Sequence, residues 1–210
     1  MRDLARAVES LDIDILAVQE IRRHQAHELA RHLGWPAPFW SFKHNGWYLL
    51  PRRAEGMAIL ARHPATHRRR TVISYRAPRW NYTRRIAQAA TVDDLTIVNV
   101  HLASHDRIAE RAAQIRRLLV FAGDADVIAG DMNEEVGDAG FALLLGAGYG
   151  PGSGELADTC PSDAPVLRID YVLTTGRVTI DYEEVPPSSH TFTRLSDHLP
   201  VVARLLISDR

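Results

Sequence analysis

Seven side chains capable of polar chemistry fall at or just past apolar, strand-like runs: Glu20, His101, Asp131, Asn133, Asp170 and the adjacent Asp197 and His198. The pattern is clearest in Val127-Ile128-Ala129-Gly130-Asp131-Met132-Asn133. A short buried run is broken there by Gly130 and followed by a carboxylate and a carboxamide. If the chain stays extended, both side chains leave on one face, because strand side chains alternate. Gly-Asp-x-Asn is also ordinary turn chemistry, and a charged residue just past a strand is often only solvated. Repetition sets this stretch apart: Val18-Gln19-Glu20, Val100-His101, Ile169-Asp170 and Ser196-Asp197-His198 end in the same manner.

Carboxylates are hard oxygen ligands that suit Mg²⁺ or Mn²⁺ better than Zn²⁺. Mg²⁺ needs only one or two of them and takes its other ligands from water and substrate phosphate. A histidine titrating near neutrality serves as acid or base, and an aspartate on its other ring nitrogen fixes its tautomer. A metal, a His–Asp pair and neutral polar donors are the parts that drive water onto a phosphate ester.

The elements that must position these groups are legible in order. Leu4, Val8 and Leu11 recur at helical spacing, so the chain opens with a helix; Ile13 to Val18 reads as the first strand. A second helix through Ala26, Leu29, Ala30 and Leu33 stops at Gly34. Trp35 to Trp47 reads as an aromatic loop, and Trp47–Leu50 with Gly56–Ala61 as a strand pair. Residues 62–85 are basic, with Arg68-Arg69-Arg70 together; such a run is usually a solvated face, and its functional reading is a phosphate-contacting rim. Ile86–Val92 and Leu95–His101 form a hairpin turning at Asp93-Asp94, followed by a helix through Ile108, Ile115 and Leu119. Phe141–Leu145 is a short helix; Val166–Leu173, Val178–Tyr182 and Leu199–Ile207 are strands. Strands outnumber helices and several are linked by hairpins, which argues for mainly antiparallel sheets with helices packed outside.

The 210 residues suit one α/β domain, residues 1–210, with no linker or repeat. A formal net charge of -1 gives no global attraction for nucleic acid or an anionic membrane. The single cysteine, Cys160, excludes an internal disulfide and a cysteine metal cluster. No apolar run approaches a membrane span, no signal core follows Met1, and no obligate protein partner is evident; a cytoplasmic enzyme is the expectation.

Together the motifs resemble the endonuclease/exonuclease/phosphatase superfamily, the deoxyribonuclease-I-like fold. The matching pieces are Val18-Gln19-Glu20, Asn99-Val100-His101-Leu102, Ala129-Gly130-Asp131-Met132-Asn133, Arg168-Ile169-Asp170-Tyr171-Val172 and Ser196-Asp197-His198-Leu199-Pro200-Val201. They run in the family's order over nearly the whole chain. The resemblance implies a four-layer α/β/β/α sandwich of two mixed, mainly antiparallel sheets, and a divalent-metal-dependent phosphoesterase. It implies that Glu20 ligates Mg²⁺ or Mn²⁺ with Asp197 nearby. It also implies that Asp131 activates or positions the attacking water and that Asn133 donates to a phosphate oxygen. His198, oriented by Asp170, would contact the phosphate or act as base, and His101 would donate to the phosphate or assist the leaving group. Histidine at His101 points away from members specialised for abasic DNA, which tend to have tyrosine in that region. The substrate class stays open among nucleic acid, phospholipid headgroup and small phosphorylated molecule. One departure stands out: the family's first strand, which brings an asparagine near the metal, has no counterpart ahead of the opening helix. The expectation is therefore a domain lacking its N-terminal first strand, an N-terminally shortened form. A non-catalytic binding domain of the same fold is the alternative.

Overall fold

The computed structural model describes residues 1–45, 54–75, 77–104, 106–154, 156–187 and 189–208. The opening helix is α1 (Arg2–Ser10), followed by β1 (Ile15–Arg22) and α2 (Arg23–Leu33), which ends on Gly34 in the left-handed conformation a helix C-cap favours. Next come β2 (Phe39–His44), β3 (Glu55–Ala61), β4 (Thr66–Val72), β5 (Ile86–Val92) and β6 (Leu95–His101). Helix α3 (Ile108–Ala122) leads to β7 (Val127–Asp131), α4 (Ala139–Gly146), β8 (Asp170–Thr174) and β9 (Val178–Glu184). A short α5 (His190–Thr193) precedes β10 (Val202–Ile207).

One sheet is continuous, in the order β4-β5-β6-β7-β8. Its pairs are antiparallel except β6 and β7, which run parallel across the α3 connection. Asp93 and Asp94 both take positive φ, 46° and 67°, as a two-residue hairpin turn requires. The alternation along β6 and β7 sorts side chains between two cores. Val98, Val100 and Ile128 pack under α3 and α4 against Ile115, Leu118 and Phe141. Ile97, Val127 and Ala129 face the other way and meet Ile15, Ala17 and Leu205 of the second sheet. On that sheet's far side, Ala58 and Leu60 of β3 pack beneath α2 through Ala26 and Leu29. The result is four layers, helix–sheet–sheet–helix, in which each fully buried Leu or Ile contributes about 1.5–3 kcal/mol.

The second sheet is divided. One piece is β1-β3-β2, the other β10-β9, and among the described residues β1 and β10 each pair on one side only. A cavity of about 940 Å³ lies between them, reaching from Leu4 and Val8 of α1 to Asp170 and His198. Where the two sheets meet, the fully buried Asn99 of β6 ties them together. Its Nδ2 donates to the carbonyls of Val18 (3.1 Å) and Ala58 (3.0 Å), and its Oδ1 accepts from Gln19 Nε2 at 2.7 Å.

Several local expectations are corrected. The aromatic stretch read as a loop contains β2; its inward positions are Ser41 and Lys43, so the usual apolar alternation is reversed. Gly130 does not break its strand: β7 runs through it at φ 135°. A Cβ there would lie 2.0 Å from the Val100 carbonyl oxygen, so glycine permits the close approach of β6. The basic stretch includes the exposed edge strand β4. Arg69 is committed to the carbonyls of Phe121 and Ala122 (2.5 and 3.1 Å) rather than to an open rim. The strand expected over Val166–Leu173 begins only at Asp170; Leu167 instead bridges Cys160. The strand expected at Trp47–Leu50 lies outside the described residues. No helix among the described residues is long and apolar enough to cross a membrane.

Candidate active site

Register places the first three groups. His101 pairs with Asp131 across β6 and β7, and Asp131 with Asp170 across β7 and β8, so one line of side chains crosses the end of the continuous sheet. His101 Nε2 lies 3.4 Å from Asp131 Oδ2. Beyond β7 the chain does not stay extended, as the alternation argument required. Asn133 takes φ 49°, its N–H donates to Asp131 Oδ1 at 2.8 Å, and its Nδ2 donates to the Leu102 carbonyl at 3.3 Å. The turn and the site are thus one feature: a hydrogen-bonded turn fixes the Asp131 carboxylate.

His198 reaches the same point from the loop before β10. Its Nδ1 lies 2.8 Å from Asp170 Oδ2, which also accepts the Thr159 hydroxyl at 2.7 Å. The loop is pinned from behind: the Ser162 N–H donates to the Asp197 carbonyl at 2.7 Å, and the Leu199 N–H to the Thr159 carbonyl at 2.8 Å. The hydrogen bond to Asp170 raises His198 to about 9, so its imidazole is cationic at neutral pH. Burial, with Asp170 alongside, pushes the Asp131 carboxyl well above the usual carboxylate range. Asp131, Asp170 and His198 offer ligand atoms within 4.8 Å of one another.

The opposite wall comes from the divided sheet. The register of β1 against β3 shifts between Val18 and Ile21, and Glu20 takes φ 55° in that bulge. Bulges of this kind re-aim a side chain beside a site. The Glu20 side chain is 59% exposed, and its Oε1 lies 3.4 Å from Lys43 Nζ and 3.7 Å from His101 Nδ1. Lys43 is 1% exposed and bonds Glu55 Oε1 at 2.7 Å, which also lies 3.3 Å from His44 Nε2. Burial works against ionised Glu55, but its bonds to His44 and Lys43 prevail and hold it at about 2. Burial, reinforced by the Lys43 and Arg85 charges, drives His101 well below its ordinary value. The two site histidines therefore differ in charge: His198 is cationic and His101 neutral.

Of the predicted residues, His101, Asp131, Asn133, Asp170 and His198 are gathered, and Glu20 adjoins them through His101. Asp197 is exposed at the loop surface; its charge reaches His198, yet with Glu20 it forms no three-ligand group among the described residues. Lys43 and Glu55 escaped sequence reasoning, and Arg85 was read only as part of the basic stretch. A signal existed for one of them: Lys43 is the single lysine among 25 lysines and arginines.

The donor set fits a hard divalent cation. Glu20 offers an accessible carboxylate on the other side of His101 from Asp131, which with Asp170 and His198 gathers its ligand atoms within 4.8 Å. Burial, then the charges of Asp170, Asp197 and Asp131, push the Cys160 thiol up, so it remains protonated and offers no thiolate.

A family model described as the Endonuclease/Exonuclease/phosphatase family matches residues 1–198. Among solved structures, the chain is similar to an endonuclease/exonuclease/phosphatase family protein from Leptotrichia buccalis C-1013-b. The TM-score is 0.80 and the identity 18%, covering 98% of this chain and 92% of that one. It is also similar to a mannosyl-6-phosphatase from Bacteroides thetaiotaomicron VPI-5482 (TM-score 0.75, 16% identity, 98% and 90% covered). A third is sphingomyelinase C from Streptomyces griseocarneus (TM-score 0.62, 18% identity, 96% and 91% covered). At these identities the likeness is one of fold. No curated protein matches the chain in sequence.

Proposed function

From the premise that this chain belongs to the endonuclease/exonuclease/phosphatase family, whose members are hydrolases of phosphate esters, we propose that it is a divalent-metal-dependent phosphoesterase. The observation that carries the reading is the Asp131–Asp170–His198 cluster, in which one carboxylate orients a cationic histidine beside a second, buried carboxylate. Asp131, kept basic by burial and aimed by the Asn133 N–H, takes the proton of a water whose oxygen attacks phosphorus. His198, held by Asp170, donates to a non-bridging phosphate oxygen and matches the charge that builds there. Asn133 adds a neutral donor, and neutral His101 steadies Asp131 and stands toward the leaving group. Glu20, with Asp197 nearby, would hold Mg²⁺ or Mn²⁺, and the bound ion would supply Lewis-acid polarisation of the phosphoryl oxygen.

The substrate is a phosphate ester, and neither fold nor charge selects among nucleic acid, phospholipid headgroup and small phosphorylated molecule. The test is release of p-nitrophenol from bis-p-nitrophenyl phosphate and p-nitrophenyl phosphate with Mg²⁺ or Mn²⁺. Plasmid DNA, sphingomyelin and inositol phosphates are run in parallel. Turnover abolished by Asp131→Asn supports the reading. A folded protein that binds Mn²⁺ yet hydrolyses none of these esters supports the second reading, a binding domain; the divided sheet favours it, because an incomplete sheet holds its half of the site loosely.

A further inference from the structure

The single lysine of the chain is buried behind the residue assigned to the metal. Lys43 projects inward from β2 with 1% of its side chain exposed. A buried ammonium is costly unless paired and hydrogen-bonded. Here it is paired twice, at 2.7 Å to Glu55 and at 3.4 Å to Glu20, and both contacts are to Oε1. His44 Nε2, 3.3 Å from the same Glu55 oxygen, closes the network on its far side. Everywhere else the basic side chains are arginines, whose planar forks span two acceptors. A compact ammonium instead fits behind one oxygen of each carboxylate.

Glu20 needs such a support. It stands in a bulge at φ 55°, a region that non-glycine residues seldom adopt, and most of its carboxylate faces solvent. We propose that Lys43 is a positioning residue for metal binding: anchored by Glu55, it holds Glu20 Oε1 and so fixes the rotamer from which Glu20 ligates a divalent cation. The inference rests on the phosphoesterase reading for the assignment of Glu20, but it concerns binding rather than turnover. An opposite effect is also physical. An ammonium near a divalent ion repels it, and a lysine that merely occupied Glu20 would act as a rival of the metal.

The test is Mn²⁺ binding to the substrate-free protein, followed by electron paramagnetic resonance of free Mn²⁺, with a melting temperature taken for every variant. Glu20→Gln provides the reference for a lost ligand. Lys43→Met is expected to weaken Mn²⁺ binding about 10–100-fold, the usual scale for losing a group that orients a metal ligand. Lys43→Met alone takes the bonded ammonium away from Glu55 and is at risk of misfolding. The double variant Lys43→Met/Glu55→Gln removes both charges and is expected to show the same loss of affinity in a folded protein. Tighter binding in either variant identifies a rival and overturns the proposal. A lowered melting temperature with unchanged affinity identifies a merely structural lysine and overturns it equally. Because the readout is Mn²⁺ affinity, absence of hydrolysis in the parent protein defeats the functional reading without touching this one.

Discussion

The two sheets build their halves of the site by different means. On the continuous sheet, strand register aligns His101, Asp131 and Asp170; a tight turn supports Asp131, and the Thr159 hydroxyl and His198 support Asp170. On the divided sheet, Glu20 sits in a bulge and is held by a buried charge network through Lys43 and Glu55. The difference teaches where precision comes from: on one side a ladder sets the line of groups and a single ion pair from a loop completes it, whereas on the other a bulged strand relies on a buried charge network.

The largest effects are expected at the Asp131–Asp170–His198 cluster. His198→Ala and Asp131→Asn should each lower kcat by about 10²–10⁴-fold, the scale of a lost acid–base group, with melting temperature little changed. Loss of the fold instead of the rate would make these residues structural. Next comes the joint between the sheets. Asn99→Ala strips partners from the half-buried Val18 and buried Ala58 carbonyls and from Gln19, which should cost about 3 kcal/mol or more, at roughly 1–3 kcal/mol for each of the three groups. Chemical denaturation measures it, and a change within 0.5 kcal/mol would mean that the sheets are joined by apolar packing alone.

The charge network of the divided side predicts a pH dependence. Glu55 is lowered from 4.5 to about 2 in the folded protein, so the unfolded chain binds the proton first as pH falls. The stabilisation is complete above 4.5 and is lost between 4.5 and 2, by an amount on the order of 2–3 kcal/mol. Glu55→Gln should flatten that part of the stability curve; an unaltered curve would show that the network contributes nothing. The smallest effect concerns duplex DNA. With a net charge of -1 and Arg69 already bound to backbone carbonyls, any DNA binding should show a shallow salt dependence. Each phosphate contact adds about −0.9 to the log–log slope, so a slope near that of six contacts would reinstate the basic stretch as a phosphate rim.

The same contrast explains what could be read from the sequence. The continuous side was legible because its polar groups directly follow apolar runs, so His101, Asp131 and Asp170 announce themselves at strand ends. α1, α2, the β5–β6 hairpin and α3 follow from periodicity and turn residues, which are local. Of the charged wall that the divided side adds to the site, only Glu20 was legible. Lys43 and Glu55 belong to different strands, and no local pattern says that β2 and β3 bring them together. Inward polar residues also disguised β2 as a loop. Asn133 was placed correctly beside Asp131 for the wrong backbone reason, since its left-handed turn is set by the Asp131 carboxylate rather than by strand alternation.

Metal dependence tests the central claim most directly. The rate of bis-p-nitrophenyl phosphate hydrolysis is measured after chelation, then after return of Mg²⁺ or Mn²⁺, with folding monitored throughout. The account predicts a rate at background in chelator, restored by either ion, and a weakened metal response in Glu20→Gln. An equal rate with the chelator present would contradict it.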